Sequence, residues 1–438
     1  RHFSAVPMLR RWHDVAGARL HAHGGGIFFA HGRSWWVGET EKVSADSSHG
    51  IACYSSVDLE RWRNEGIVLH NSDVRGLGGE VASSSGWVME RPKVLFNART
   101  GLFVMWFHLE RSRSYSLNAA GVATSSTPCG RYSFRHALRP GGLRSFDATL
   151  FQDSHRLAYR VQDVEHKAVV ILRLSADFLN ASAAPVSVLH ERREAPCLFR
   201  WAGRYHLLTS GLTWWNPNPA ALHVADSLRG PWTHVGNPFL QSPAGGGPEQ
   251  RGERAAATSF HSQPAFVLVY TSERQEQVAL LMADRWCPRG ERCSQPWCTC
   301  LLQATYLWQQ LLPPAAAARS AAPLPPLVVA WKPRWRPPAP HQSTLAGVAA
   351  ATQTALPPFP PSPPQPPPPP PSPPPAPSVC HTWCTSHPEP WEQRCRWQAC
   401  AACEPCGDRG SIGGERRSLR QIASRRPGTI LRAPQGRS

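Results

Sequence analysis

The sequence lacks any run of eighteen consecutive apolar residues, and this absence excludes a membrane-spanning helix. Acidic residues are scarce relative to basic ones, with 30 Asp and Glu against 47 Lys and Arg, so the formal net charge is +17. The basic residues are mostly scattered Arg, and the one dense stretch, 415–438, has the composition of a disordered tail. Because no nucleic-acid module accompanies this charge, we expect an acidic polysaccharide or wall environment and no nucleic-acid partner.

A helical period of apolar residues is also missing, and this excludes a helical-repeat architecture. What recurs instead is a β-hairpin, in which two apolar runs flank a short polar turn. The apolar runs that open the five copies begin at Gly26, Lys93, Thr149, Cys197 and Ala265. Units of three to four antiparallel strands at this spacing are propeller blades, so the sequence predicts an all-β, five-bladed β-propeller over residues 1–311.

The residues that precede the first strand of each predicted blade share one phase of the repeat. In a propeller the first strand of every blade lines the central channel, so residues at one phase meet at one end of that channel. At this phase the five copies carry His23, Glu90, Asp147, Glu194 and Gln263. Like charges held together raise the pKa of at least one carboxyl, and two carboxyls with different pKa values can cleave a glycosidic bond. A single Glu before a strand is usually a solvated strand end, but its recurrence in register favours the catalytic interpretation.

At these residues the sequence resembles glycoside hydrolase family 43, and within it the exo-β-1,3-galactanase branch. The strings that carry the resemblance include HGGG at 23–26, ERPKV at 90–94, REAP at 193–196 and SQ at 262–263. Further matching stretches lie at 54–58, 105–108, 209–211, 224–232, 284–286 and 306–308. Any one of these would be a weak signal, but together they cover residues 14–311 and are specific.

The resemblance implies a role for the residues of the shared phase. Glu194 is implied as the general acid, and Asp147 as the carboxylate that tunes the pKa of that acid and holds the sugar. Glu90 and Gln263 are implied as the groups beside the attacking water, on walls other than that of Glu194. Whether Gln263, Glu90 or a relay accepts the proton stays open.

Four further residues are candidates for substrate binding: Glu165, Tyr115, Thr213 and His23. For His23 we expect a structural role before a metal-ligand role. Nothing among the channel residues forms a metal-ligand set, and we expect neither a metal nor another cofactor.

The function that the resemblance implies is hydrolysis of O-glycosidic bonds in β-1,3-galactan or arabinogalactan-type chains, exo-acting and with inversion. Most of the family has an Asp base in the first blade, where this chain has the HGGG string at 23–26. That difference argues against the runner-up activity, arabinofuranosidase or xylosidase. A catalytically dead carbohydrate-binding wall protein is the other alternative, and the intact Glu194 and Asp147 favour the enzyme.

Beyond the predicted propeller the composition changes twice. Residues 312–378 are rich in Pro, which predicts an extended polyproline II linker. Residues 379–410 hold six Cys, which predicts a small disulfide module, although C-x-x-C pairs leave a zinc site as the alternative. Residues 411–438 form the basic tail. We expect the propeller to fold without residues 312–438.

The small module at 379–410 also holds three Trp, at 383, 391 and 397. Indole faces can bind sugar rings, so the module is a candidate for binding cell-wall carbohydrate, with a disulfide knot around buried Trp as the alternative. The Cys content, the Pro-rich linker and the sequon at Asn180 together predict a secreted, extracellular or cell-wall protein. The chain begins at Arg1, which fits either removal of a signal peptide or a fragment.

Overall fold

The computed structural model describes residues 12–40, 49–83, 85–112, 114–213, 216–239, 258–285, 305–313, 326–329 and 336–346. Within them the chain forms five four-stranded antiparallel sheets, which confirms the predicted all-β, five-bladed propeller. The chain divides into two compact units, 1–356 and 357–438, and every described residue belongs to the first. The predicted Cys-rich module and basic tail therefore lie outside the described residues. Among the described residues, no helix has the length and apolar character needed to span a membrane.

The strands of each blade follow one another in the chain and pair in that same order. Blade 1 comprises β1 (His23–Ala30), β2 (Arg33–Glu39), β3 (Gly50–Ser56) and β4 (Arg63–His70). Blade 2 comprises β5 (Trp87–Asn97), β6 (Leu102–Arg111), β7 (Ala119–Ser125) and β8 (Ser133–Leu138). Blade 3 comprises β9 (Ala148–Gln152), β10 (Ala158–Val164), β11 (Ala168–Leu174) and β12 (Ala181–Leu189). Blade 4 comprises β13 (Glu194–Trp201), β14 (Arg204–Ser210), β15 (Ala221–Ala225) and β16 (Thr233–Gly236). Blade 5 comprises β17 (Gln263–Thr271), β18 (Gln277–Arg285), β19 (Thr305–Leu312) and β20 (Val328–Val329).

The first strands of the five blades form the inner ring of the propeller. Strand β1 contacts β5, β5 contacts β9, β9 contacts β13, β13 contacts β17, and β17 contacts β1. All five predicted hairpins are present as the first two strands of a blade. Four of the five residues at the shared phase, Glu90, Asp147, Glu194 and Gln263, therefore meet at one end of the channel, whereas His23 packs in the core.

Aromatic side chains fill the seam between blade 1 and blade 5. The Trp36 ring lies 4.8 Å from the Trp308 ring and 4.9 Å from the Tyr306 ring, measured between centroids. Trp62 packs edge-on against Trp36 at 5.3 Å. These four side chains are at most 1% exposed, so they are core residues rather than sugar platforms. Tilted and edge-on aromatic pairs add stability beyond the area that they bury.

A disulfide links blade 1 to blade 2. It joins Cys53 on β3 to Cys129 in the connection between β7 and β8. Next to it, the Tyr132 amide donates to the Val68 carbonyl at 2.7 Å. Cys197 on β13 is a free, buried thiol. Four further cysteines, at 287, 293, 298 and 300 of the sequence, lie outside the described residues.

The outer edge of blade 5 is built by residues that follow the expected boundary at 311. Strand β20 pairs with β19, and residue 340 forms an isolated bridge with Ser272. A short helix, α1 (Gln342–Ala346), contacts β1 and β2, and the Gly32 amide donates to the Leu345 carbonyl at 2.9 Å. The linker predicted from residue 312 thus contains part of the propeller. A Pro-rich stretch can supply an outermost strand because such a strand leaves one set of amides unpaired.

This arrangement predicts different outcomes for two truncations. A chain that ends at residue 356 keeps β20 and α1, and we expect its thermal unfolding midpoint to match that of the full chain. A chain that ends at residue 311 loses Leu327 and Val329, which are 1% and 2% exposed. Loss of these two buried side chains should lower the free energy of unfolding by about 3–6 kcal/mol. Equal midpoints for the two truncated chains in differential scanning calorimetry would contradict this reading of the boundary.

Candidate active site

A cavity of about 310 Å³ opens where the inner strands begin. All four predicted catalytic side chains line it: Glu90, Asp147, Glu194 and Gln263. They come from blades 2, 3, 4 and 5, at the start of an inner strand or the residue before it, except that Glu90 lies four residues into β5. Residues that are up to 173 positions apart in the chain therefore share one cavity because the propeller repeats one phase.

A β-bulge at the shared phase aims these side chains. Pairing of the inner strand slips just after His23, Glu90 and Glu194. In each case the next residue, Gly24, Arg91 or Ala195, has a positive φ of 61°, 55° or 51°. Bulges are common beside active sites, and non-glycine residues in this region of φ are strained unless their surroundings hold them. The bulge is thus the local backbone feature that turns the Glu90 and Glu194 carboxyl groups toward the channel.

Glu194 is a carboxyl group held in its protonated form. The side chain is 9% exposed, and burial, followed by the nearby Asp147 carboxylate, raises the pKa of Glu194 to about 9. The Gln263 amide donates from Nε2 to Glu194 Oε1 at 3.0 Å. A carboxylic acid that keeps its proton at neutral pH can donate it to a leaving group, which is the property required of a general acid.

A buried arginine forms an ion pair with Asp147. Its Oδ2 lies 3.0 Å from Arg91 Nη2 and accepts a hydrogen bond from the Ala195 amide at 3.1 Å. Burial opposes the charge on Arg91, but Asp147 and Asp284 outweigh that effect and raise the pKa of Arg91 above its usual value. Asp147 is therefore paired with a buried cation, whereas Glu194 beside it has a raised pKa.

Gln263 lies beside Glu194 and not across the cavity from it. Its Nε2 also donates to Ser210 Oγ at 3.3 Å, and its Oε1 accepts from Arg91 Nη2 at 2.6 Å. The sequence had placed Gln263 with Glu90, on the water side. The structure differs because the start of β17 is adjacent to that of β13 in the ring, which brings the amide within hydrogen-bond distance of the acid.

Glu90 occupies a separate set of contacts. Its Oε1 accepts from the Tyr115 hydroxyl at 2.9 Å, and its Oε2 lies 3.2 Å from His108 Nδ1. On the other side of the ring, His108 Nε2 lies 3.5 Å from Oε1 of the fully buried Glu110. Burial disfavours the charged form of His108, but the two carboxylates outweigh it and raise the pKa of His108 to about 9. His108 therefore carries a proton between the carboxyl groups of Glu90 and Glu110.

The candidate substrate contacts divide into one that lines the cavity and three that do not. Tyr115 lines it. His23 is 2% exposed and stacks on Tyr306 at 5.4 Å, which is a core position. Glu165 is ion-paired with Lys167 at 2.8 Å and lies off the cavity. Thr213 donates to a backbone carbonyl at residue 216 over 2.6 Å and is likewise not among the lining residues.

Sequence reasoning missed seven of the lining residues: Glu39, Arg91, His108, Phe146, His166, Arg192 and Leu212. A signal existed for some of them. Arg91 and His108 lie inside the ERPKV and MWFH strings that carried the family resemblance. Glu39 pairs with His23 across β1 and β2, so a register prediction would have found it. For His166 and Arg192 the sequence offered no signal.

One group of metal-type ligands occurs among the described residues. Single atoms of Glu90, His108 and Asp147 lie within 4.8 Å of one another. A metal ion requires a neutral imidazole nitrogen, but both nitrogens of His108 face carboxylates and its pKa is raised. The group is therefore better described as a set of ion pairs than as a metal site.

Comparisons with known proteins agree with this fold and site. The profile of glycosyl hydrolases family 43 matches residues 29–292. A family 43 β-1,3-galactosidase, solved with galactodeoxynojirimycin, is 30% identical and superposes with a TM-score of 0.62, covering 76% of this chain and 100% of its own. Among curated protein sequences, none matches the chain.

Two exo-β-1,3-galactanases are also similar. The enzyme 1,3Gal43A from Clostridium thermocellum is 27% identical, with a TM-score of 0.63, over 77% of this chain and 68% of its own. A variant of the Phanerochaete chrysosporium enzyme, solved with β-1,3-galactotriose, is 29% identical, with a TM-score of 0.61, over 79% of this chain and 70% of its own. The family profile covers more than half of the sequence, and the propeller and its carboxyl cavity agree with it, so this chain belongs to glycosyl hydrolases family 43.

Proposed function

We propose that this glycoside hydrolase removes galactose units from the end of β-1,3-galactan chains, with inversion at the anomeric carbon. The observation that carries the proposal is the pair of carboxyl groups in one cavity, Glu194 with a raised pKa and Asp147 ion-paired with the buried Arg91. Relatives named as β-1,3-galactosidase and exo-β-1,3-galactanase support the choice of substrate. The galactotriose in one of those structures supports a galactan chain as the ligand.

In the proposed reaction Glu194 gives its proton to the glycosidic oxygen as the bond from that oxygen to the anomeric carbon breaks. Asp147 keeps this proton on Glu194 beforehand, because its charge disfavours a second anion nearby. After the transfer, Glu194 is an anion that the Gln263 amide already contacts. The amide thus stabilises the charge that develops on the acid.

A water molecule attacks the anomeric carbon from the opposite face and loses a proton. Glu90 is one candidate to accept that proton, and Tyr115 and His108 hold its carboxyl group in place. Gln263 is the other candidate to accept this proton, but a neutral amide takes a proton only through its less stable tautomer. Inverting enzymes separate acid and base by about 6.5–9.5 Å to leave room for the water.

We also propose that the protein is secreted. The Cys53–Cys129 disulfide supports this location, because disulfides persist in oxidising compartments. Binding of cell-wall carbohydrate by the module at 379–410 stays a proposal from its composition, since that module lies outside the described residues.

The variant Glu194→Gln should lose about 10²–10⁴ of the hydrolysis rate, because the amide has no proton to give. Its fold should persist, since an amide oxygen can still accept from Gln263. Glu191→Gln is the matched control: it lies three residues earlier, bonds to His223 and does not line the cavity. A galactoside with a good leaving group should partly restore the rate of Glu194→Gln. Hydrolysis within a few-fold of the parent would refute the assignment of the acid.

In a pH profile, kcat/KM should fall on the basic side as Glu194 loses its proton, near its pKa of about 9. Asp147 raises that pKa, so Asp147→Asn should move the basic limb to lower pH while reducing the rate. Asp153→Asn, in the turn between β9 and β10, is the control and should leave the limb in place. A basic limb that does not move in Asp147→Asn would show that another group controls it.

The substrate and stereochemistry can be tested together. We expect galactose release from β-1,3-galactan and little or no sugar release from arabinan or xylan. Proton NMR of the first product should show α-galactose before mutarotation, because a single displacement on a β-linked substrate inverts the anomeric carbon. An initial β-galactose signal rules out inversion, and arabinose or xylose release without galactose rules out the substrate.

A further inference from the structure

We propose that His166 is a substrate-binding residue of this site and that it binds a sugar hydroxyl through Nε2. The proposal rests on the proposed function, since it assumes a galactose ring in the cavity. It moves the contact expected of blade 3 from Glu165 to the next residue along the chain.

The turn between β10 and β11 separates these two neighbours. Glu165 and His166 both have a positive φ, 53° and 54°, and the Lys167 amide donates to the Val164 carbonyl at 3.0 Å. Residues 165–167 form a tight hairpin loop, since Val164 pairs with Ala168 across the two strands. The Glu165 side chain turns to Lys167 and Arg144, at 2.8 and 3.7 Å, while His166 lines the cavity.

A fully buried carboxylate fixes the imidazole of His166. Asp163 accepts the backbone amide of His166 on Oδ1 at 2.8 Å and lies 2.5 Å from His166 Nδ1 through Oδ2. The Phe146 ring, also at the cavity, packs against the imidazole with 4.3 Å between centroids. An imidazole held at one nitrogen and on one face has little rotational freedom left to lose on binding.

The remaining nitrogen is the one available to a ligand. The His166 side chain is 41% exposed while Asp163 is completely buried, so the edge bearing Nδ1 faces inward and the opposite edge faces the cavity. Asp163 keeps the proton on Nδ1, which leaves Nε2 as a donor when the ring is charged and as an acceptor when it is neutral. A sugar hydroxyl can both donate and accept, so it satisfies either form.

The experiment uses the full chain and measures both binding and turnover. The variants are His166→Ala, His166→Gln, in which an amide can replace the hydrogen bond, and Asp163→Asn, which weakens the hold on Nδ1. The matched control is His155→Ala, an exposed histidine in the turn between β9 and β10 of the same blade. Binding of galactose and β-1,3-galactobiose is measured by calorimetry, and KM and kcat are measured on β-1,3-galactan.

We expect His166→Ala to weaken galactose binding and raise KM about tenfold or more, the usual effect of losing a hydrogen bond to a charged group. The kcat of His166→Ala should stay much closer to that of the parent. His166→Gln should recover part of the affinity, and Asp163→Asn should show a smaller loss of affinity. His155→Ala should behave as the parent.

Galactose affinity and KM within twofold of the parent in both His166→Ala and His166→Gln would overturn the proposal, as would a loss confined to kcat. Thermal unfolding of each variant identifies loss of fold, and in that case the result for His166→Gln decides. A parent chain that binds galactose but does not hydrolyse galactan would refute the proposed function. The calorimetric binding measurements would then still test the role of His166.

Discussion

The site depends on the buried guanidinium of Arg91. It forms an ion pair with Asp147 in blade 3. It also donates hydrogen bonds to two oxygens of blade 5, Gln263 Oε1 at 2.6 Å and the backbone carbonyl of residue 264 at 2.8 Å. Its own backbone sits in the bulge of blade 2, where the amide lies 3.4 Å from Glu39 Oε1 of blade 1. Four blades therefore meet at one residue. A planar, permanently charged group can hold a carboxylate and an amide together, which a lysine could not do.

A second buried basic side chain, Lys93, lies beside the glycine run of blade 1. Lys93 Nζ donates to the Gly24 carbonyl at 2.6 Å, and a Cβ on Gly26 would lie 2.6 Å from Lys93 Cδ. Gly26 thus makes space for the Lys93 stem, while Gly24 and Gly25 allow close approach of neighbouring backbone. Burial, followed by the charge of Arg91, lowers the pKa of Lys93 to about 7. The glycines of the HGGG string are therefore required for packing.

The sequence predicted the blades and the convergence of Glu90, Asp147, Glu194 and Gln263, because both follow from a repeat and its phase. It could not predict which of these side chains touch. Gln263 contacts Glu194 because of ring order and bulge geometry, and neither leaves a pattern in the residues. The sequence pointed to Glu165, but His166 lines the cavity, because the geometry of the tight turn at 165–167 decides which neighbour faces it. The boundary at 311 was placed too early because β20 has only two residues.

The contacts that close the ring join residues that are synthesised far apart in time. The Ala22 amide donates to the Tyr306 hydroxyl at 2.7 Å across 284 positions, and the Gly24 amide donates to Asp284 at 2.6 Å across 260. Blade 1 must therefore wait, with one face uncovered, until nearly the whole propeller has left the ribosome. Contacts of such high sequence separation slow folding and prolong the exposure of unpaired strand edges. The Cys53–Cys129 link spans only 76 positions, so it can join blades 1 and 2 long before Cys197 has found its buried place.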